Sequence, residues 1–185
     1  MKIRVISGLF VLTLFLSGCS STQSASTENS PGANYVAPTT CELPAIVKAF
    51  DDQVEGSVYV PTQWEPSEGT DLYDAINNGG IACTYGIQVA EVGGTVLFAA
   101  LTQDQWDNKK TVWKGFGQIP IDLPGLAESD ALILKEGTEA DAEMHVWAVN
   151  LYIQGVWISV NASFLQNIEE VMPIINAAVS SLKKS

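Results

Sequence analysis

The strongest constraint on the fold lies near the end of the chain, where residues 143–153 and 156–162 flank the dipeptide Gln154-Gly155. A two-residue turn there sets Ile153 opposite Val156, Leu151 opposite Ile158, Val149 opposite Val160 and Trp147 opposite Ala162. All eight of these residues are apolar. Because successive side chains of a strand point to opposite faces, the other face carries Ala148, Asn150, Tyr152, Trp157, Ser159 and Asn161. A hairpin with one core face and one mixed face is expected, and it requires further elements packed against it.

The preceding chain supplies them. Thr39 and Glu42 have capping-box spacing, and Leu43, Ile46, Val47, Phe50 and Val54 follow at helical intervals, which predicts a first helix. A loop with Pro61, Trp64, Pro66 and Gly69 leads to a short helix over 71–76, closed by Asn77-Asn78-Gly79-Gly80. Residues 81–89 and 95–101 read as strands joined through Gly93-Gly94, a dipeptide suited to a tight turn. Residues 103–114 read as a helix with Trp106 and Trp113 on one side, and 131–136 as a strand that reaches the hairpin through the acidic loop 137–141. After the hairpin, Ser163 and Gln166 again have capping-box spacing, and Phe164, Ile168, Val171, Ile175, Ala178 and Leu182 form an apolar stripe. Pro173 is expected to kink or restart that helix near Met172, and Lys183 and Lys184 suit a helix carboxyl end. The expected class is α+β: a mainly antiparallel sheet of about five strands, helices on one or both faces, and a long C-terminal helix.

The amino terminus is of another kind. In MKIRVISGLFVLTLFLSG, Lys2 and Arg4 precede an apolar stretch over 9–16 broken only by Thr13, the pattern of a signal peptide. That stretch is short of the roughly 20 residues a spanning helix needs. It ends in Leu16-Ser17-Gly18-Cys19, which resembles a bacterial lipobox. The resemblance implies cleavage before Cys19 and lipid on its thiol; an ordinary secretory signal with an incidental Cys19 is the alternative. Palmitate-type acyl chains on one cysteine supply the two membrane signals that stable anchoring takes, so the expected partner is the membrane and the expected place its extracytoplasmic face. Residues 20–40 are rich in Ser and Thr with one formal charge, Glu28, and read as a flexible tether with a reach of roughly 25 Å. The expected organisation is signal peptide 1–18, lipidated tether 19–40 and a single domain 41–185.

With Cys19 assigned to lipid, Cys41 and Cys83 remain, an even pair in an exported chain. A disulfide is expected, with two separate buried thiols as the alternative. The cysteine contexts CELPAIVKAF and GGIACTYGI, together with the lipobox and Ser/Thr-rich tether, resemble small cell-envelope lipoproteins of Gram-positive actinobacteria, many of them domains of unknown function. The resemblance implies an α/β sandwich outside the cell, similar in shape to extracytoplasmic sensor domains of kinases, and carries over the Cys41–Cys83 pairing. It supplies no catalytic motif.

Charge narrows the function classes. The chain has 9 basic and 21 acidic residues, a net charge of -12, and loss of Lys2 and Arg4 with the signal peptide takes it to -14. Such a balance argues against nucleic acid as a partner and against adhesion to anionic headgroups. No G-x-S-x-G elbow, phosphate loop or dinucleotide fingerprint occurs, and His145 is the one histidine. It falls on the inferred core face near a strand end, where a structural role is expected over that of a base. One histidine and a bridged cysteine pair leave too few ligands for zinc, so neither metal nor cofactor is expected. The acidic groups Glu65/Glu68/Asp71/Asp74 and Glu136/Glu139/Asp141/Glu143 are expected at the solvated surface, with weak calcium binding or a glycosidase pair as sharper readings.

Two aromatic groups are candidate contact surfaces for a polymer, lipid or protein. Tyr152 and Trp157 sit side by side across the hairpin, and Trp106 and Trp113 share a helix with Lys109, Lys110 and Lys114. The opposing expectation is that helices cover the first pair, and that the second pair is core while the lysines face water. The leading function is a non-catalytic binding or accessory module of the envelope. Alternatives are a carboxylate-dependent enzyme acting on envelope polymers and an assembly partner of another envelope protein.

Overall fold

The computed structural model describes residues 35–136, 146–162 and 164–185. In chain order the elements are β1 (Tyr35–Val36), α1 (Pro44–Asp51), β2 (Val58–Val60), α2 (Asp71–Asn77), β3 (Ile81–Ile87), β4 (Val92–Ala100), α3 (Gln103–Gly115), β5 (Ile119–Pro120), β6 (Asp130–Glu136), β7 (Val146–Ile153), β8 (Val156–Ala162), α4 (Ile168–Ser180) and β9 (Lys183–Lys184). Seven strands form one antiparallel sheet in the order β2-β3-β4-β8-β7-β6-β5, and β1 pairs with β9 apart from it. The class is α+β with a C-terminal helix. The sheet exceeds the expected five strands because β2 and β5, three and two residues long, are too short to show an alternation in sequence.

The register of the β7–β8 hairpin is the one the alternation implies, from Ile153 opposite Val156 to Trp147 opposite Ala162. Its turn residues Gln154 and Gly155 have φ of 46° and 91°. Positive φ at both central positions matches the twist of the flanking strands. The other expected turn is corrected: β3 and β4 are joined through Gln88–Ala90 and Glu91, while Gly93 and Gly94 lie inside β4. Their reason is close approach of neighbouring strands. A Cβ on Gly93 would stand 2.6 Å from the Tyr85 carbonyl oxygen, and one on Gly94 would stand 2.6 Å from that of Asn161.

Helices cover both faces of the sheet. On one side α1 brings Ile46 and Phe50, and α4 brings Val171, Ile174, Ile175 and Ala178, onto the alternating apolar residues of β3, β4, β7 and β8. On the other side α2 and α3 lie over Leu97, Ala99, Leu132 and Trp157. The Cys41–Cys83 disulfide joins the segment leading into α1 to β3, with the Cα atoms 5.3 Å apart. The Tyr85 hydroxyl beside it donates to the Cys41 carbonyl at 2.9 Å.

Three helix ends differ from expectation. Helix α1 begins at Pro44 after Leu43, with no side-chain cap, so Thr39 and Glu42 form no capping box. Proline at the first position presets the helical φ and lacks an N–H that would go unsatisfied. Helix α4 is capped by Asn167, whose side chain accepts from the Glu170 N–H at 2.9 Å; the expected cap Ser163 lies outside the described residues. The helix runs through Pro173 without restarting, and Lys183 and Lys184 leave it to pair with β1. Ordered pairing therefore reaches back to Tyr35, ahead of the domain start expected at residue 41. Among the described residues no helix is long and apolar enough to cross a membrane.

Candidate functional site

The aromatic residues singled out in the sequence converge, but in the interior. Trp106 and Trp113 hang from α3 toward the sheet, where Trp106 stacks on Tyr152 at 5.4 Å and Trp113 meets Trp157 at 5.5 Å. Trp106 and Trp157 are fully buried, Trp113 is 4% exposed, and Tyr152 is half-buried. The reading of these four as a contact surface is corrected: α3 closes the mixed face of the hairpin and they form its core. The mixed character follows from what that burial requires. Trp157 Nε1 donates to Asn150 Oδ1 and Asn150 Nδ2 donates to Gln118 Oε1, each at 3.0 Å, so the buried polar groups satisfy one another.

The lysines of α3 also depart from expectation. Lys109 and Lys110 turn inward, their side chains only 13% and 21% exposed, while Lys114 faces water. Lys109 Nζ donates to Asp71 and Asp74 of α2, at 2.8 Å each, and lies 4.8 Å from the centroid of the Trp157 ring. Trp113 Nε1 donates to the other oxygen of Asp71. Lys110 bridges Asp107 and Asp130, and Trp106 Nε1 donates to Asp130 at 2.8 Å. Burial pushes the Asp130 carboxyl up, but the hydrogen bonds from Lys110 and Trp106 and the lysine charge outweigh it and hold the group below its ordinary range. For Asp107 the hydrogen bonds from Lys110 and Gln103 lower it likewise. Half of the first acidic group, Asp71 and Asp74, is thus committed to ion pairs. Glu65 and Glu68 are exposed on a loop.

Cys19, His145, Glu139, Asp141 and Glu143 lie outside the described residues, and Glu136 ends β6. Among the described residues no group of three or more His, Cys, Asp or Glu stands where it could hold a metal ion.

A different site emerges between α1 and β2. There an open groove of about 680 Å³ runs between Pro44, Val47 and Asp51 of the helix and Val58 and Tyr59 of the strand. The groove is mainly apolar. Val58 is 54% exposed, a large β-branched side chain facing water. The floor is firm, because Tyr59 leans on Tyr85 at 6.0 Å and Tyr85 stacks on Phe50 at 5.2 Å. Burial, with a smaller contribution from Tyr59, pushes the Tyr85 phenol well above its ordinary range. The groove's end is shaped by Asp51, whose Oδ1 accepts from the Gly56 N–H at 2.7 Å. Ser57 is buried and its hydroxyl donates to the Val54 carbonyl, which places it as a turn residue. The arrangement offers mainly apolar area, with the carboxylates of Glu42 and Asp51 and the Lys48 amine among its lining. Sequence reasoning missed it because α1 and β2 form the groove only after the chain reverses at residues 52–57, and a three-residue strand carries no periodic signal.

Compared with protein-family models, with curated proteins and with solved structures, the chain matches none.

Proposed function

We propose that this chain is a lipid-anchored, extracytoplasmic module of the bacterial cell envelope that has no catalytic activity of its own and binds a partner through the groove between α1 and β2. The anchoring half of the reading is supported by the signal-peptide pattern and Cys19. The binding half is carried by one observation: a mainly apolar groove stands open beside a strand at the edge of the sheet. Concave apolar surface with few polar groups is the usual character of a binding site. The carboxylate-enzyme reading gains no support from Asp71 and Asp74, both of which are ion-paired with Lys109.

Palmitate labelling and fractionation of cells carrying the wild-type chain or Cys19→Ala test the anchor. The wild type is expected to be labelled and membrane-bound, and the variant unlabelled and either released or unprocessed; equal labelling overturns the anchor. For the groove, a photoreactive side chain placed at Val58 is expected to yield a discrete adduct in intact cells, and one at Val112 on α3 none. Identical patterns from both positions overturn the binding reading.

A further inference from the structure

The two inward lysines of α3 are paired in different ways. Lys110 takes Asp107 from its own helix and Asp130 from β6, so both of its partners belong to the body of the fold. Lys109 takes Asp71 and Asp74, and both arrive on the short helix α2. Among the described residues Lys109 has no other ion pair. The two oxygens of Asp71 go to separate donors of one helix: Oδ1 accepts from Lys109 Nζ at 2.8 Å and Oδ2 from Trp113 Nε1 at 2.6 Å. An ammonium and an indole N–H one turn apart thus grip a single carboxylate. The rings of Trp113 and Trp157 lie beside the ammonium, with centroids 5.6 and 4.8 Å from Nζ.

The gripping side is fixed, and the gripped side is attached by little else. Trp113 is buried and the Lys109 side chain is 13% exposed, whereas those of Asp71 and Asp74 are 46% and 47% exposed. Between residues 65 and 80 only Ala75 is buried, and Leu72 adds a partial contact. Just ahead of this segment the chain is tied to β3, by Thr62 Oγ1 on Thr84 Oγ1 and by Trp64 Nε1 on the Ala82 carbonyl, each at 2.9 Å. Strands β2 and β3 that flank it are antiparallel neighbours, with Val60 opposite Thr84. Helix α2 can therefore lift without unpairing either strand. Gly69 and Gly79 stand on either side of it at φ of 82° and 72°, and a Cβ on either would meet nothing within 4 Å. Both are free to act as hinges.

Lifting α2 with nothing in its place strips Lys109 of both ion pairs beside two aromatic rings, which is costly for a poorly solvated cation. A carboxylate from outside that takes the place of Asp71 removes that cost. The groups now in place define the ligand: two carboxylates for one ammonium, joined by an aliphatic spacer that can lie on the tryptophan rings.

We infer that Lys109 and Trp113 form a carboxylate-binding seat, that Asp71 and Asp74 fill it as an internal stand-in for a small dicarboxylate ligand, and that α2 is a hinged plug which the ligand displaces. The seat lies on the face of the sheet opposite α1 and goes beyond the groove described above. Ligand binding and opening of α2 are one linked equilibrium, because the ligand and the two aspartates compete for the same donors.

The test uses the folded chain lacking the signal peptide 1–18, with glutarate as the probe. Hydrogen exchange of the wild type is followed in glutarate, in the uncharged glutaramide and in sodium chloride matched for ionic strength. Glutarate is expected to speed exchange over 71–80 at least about fivefold relative to chloride, with β4 and α3 unchanged. Glutaramide is expected to have no effect. Asp71→Ala with Asp74→Ala vacates the seat, and calorimetry is expected to find glutarate bound at least about tenfold more tightly than by the wild type. Adding Lys109→Met is expected to abolish that binding. Equal exchange in glutarate and in matched chloride overturns the inference, as does an effect spread over the whole chain or one that glutaramide reproduces. Glutarate binding that survives Lys109→Met overturns it as well. The exchange comparison needs no variant, so it decides the matter even where the vacated chain does not fold. None of these outcomes bears on the adduct expected at position 58, so the seat and the groove stand or fall separately.

Discussion

The two faces of the large sheet are closed by different chemistry. Beneath α1 and α4 the contacts are mostly aliphatic and aromatic, with the Tyr85 hydroxyl bonded to the Cys41 carbonyl, and the Cys41–Cys83 bond ties the approach of α1 to β3. Beneath α2 and α3 the same strands meet three tryptophans, two inward lysines and the carboxylates of Asp71, Asp74 and Asp130. Strand alternation alone makes either face available for burial. What differs is whether burial is complete by apolar contact or needs polar groups to be satisfied one by one.

Trp157 is where the two ways of closing the sheet differ most. Trp157→Ala removes a fully buried ring and leaves Asn150 Oδ1 without its donor. The expected loss is about 5 kcal/mol, from a large-to-small core change plus an unsatisfied acceptor, read by denaturant unfolding. A loss under about 1 kcal/mol, the scale of a surface change, would show that α3 is held by its ion pairs instead.

Removing the covalent tie probes the other face. In the chain-entropy model, a bridge between residues 42 apart in sequence contributes about 4 kcal/mol. Cys41→Ala with Cys83→Ala is expected to lose about that much, and hydrogen exchange should quicken in α1 and β3 while α3 stays protected. Uniform loss of protection over both faces would mean that they do not open separately.

The smallest effects come from pH, and the faces should respond at opposite ends. Asp130 is held below its ordinary value of 3.8, so its contribution is present above that pH and lost as pH falls through the lower folded value. Tyr85 is raised above its ordinary value of 10.0, so its contribution is complete below pH 10.0 and lost as pH rises toward the folded value. Tryptophan fluorescence, to which the α3 side contributes three of the five tryptophans, should change first in acid. Tyrosinate absorbance should show Tyr85 ionising only with unfolding. Because Asp130 is half exposed, solvent screening keeps the acid effect modest. Identical acid midpoints for the wild type and Asp130→Asn would remove the carboxylate from the account.

The hairpin, the two longest helices and the disulfide were legible because each leaves a signal within a few neighbouring residues: alternation with a Gln-Gly turn, apolar stripes, an even cysteine pair. Gly93-Gly94 misled because glycine serves close strand approach as readily as a turn, and only the partner strand decides which. The mixed face of β7 and β8 could be listed residue by residue, but not that α3 crosses back over it, since that depends on where β5 joins the sheet. Lys109 and Lys110 look like water-facing residues until α2 and β6 bring acids to them from 38 and 20 residues away. The groove was hidden for the same reason: each wall is unremarkable alone.

The covalent bond near the start of the fold also bears on tension. If the membrane holds the chain at Cys19, a pull reaches the folded body at Tyr35, first peeling the two-residue pairing of β1 with β9. It then meets Cys41, only six residues further on, where the disulfide diverts the force past α1 into β3 inside the large sheet. Extension from the amino-terminal side is thereby limited to a few residues before the sheet itself must shear.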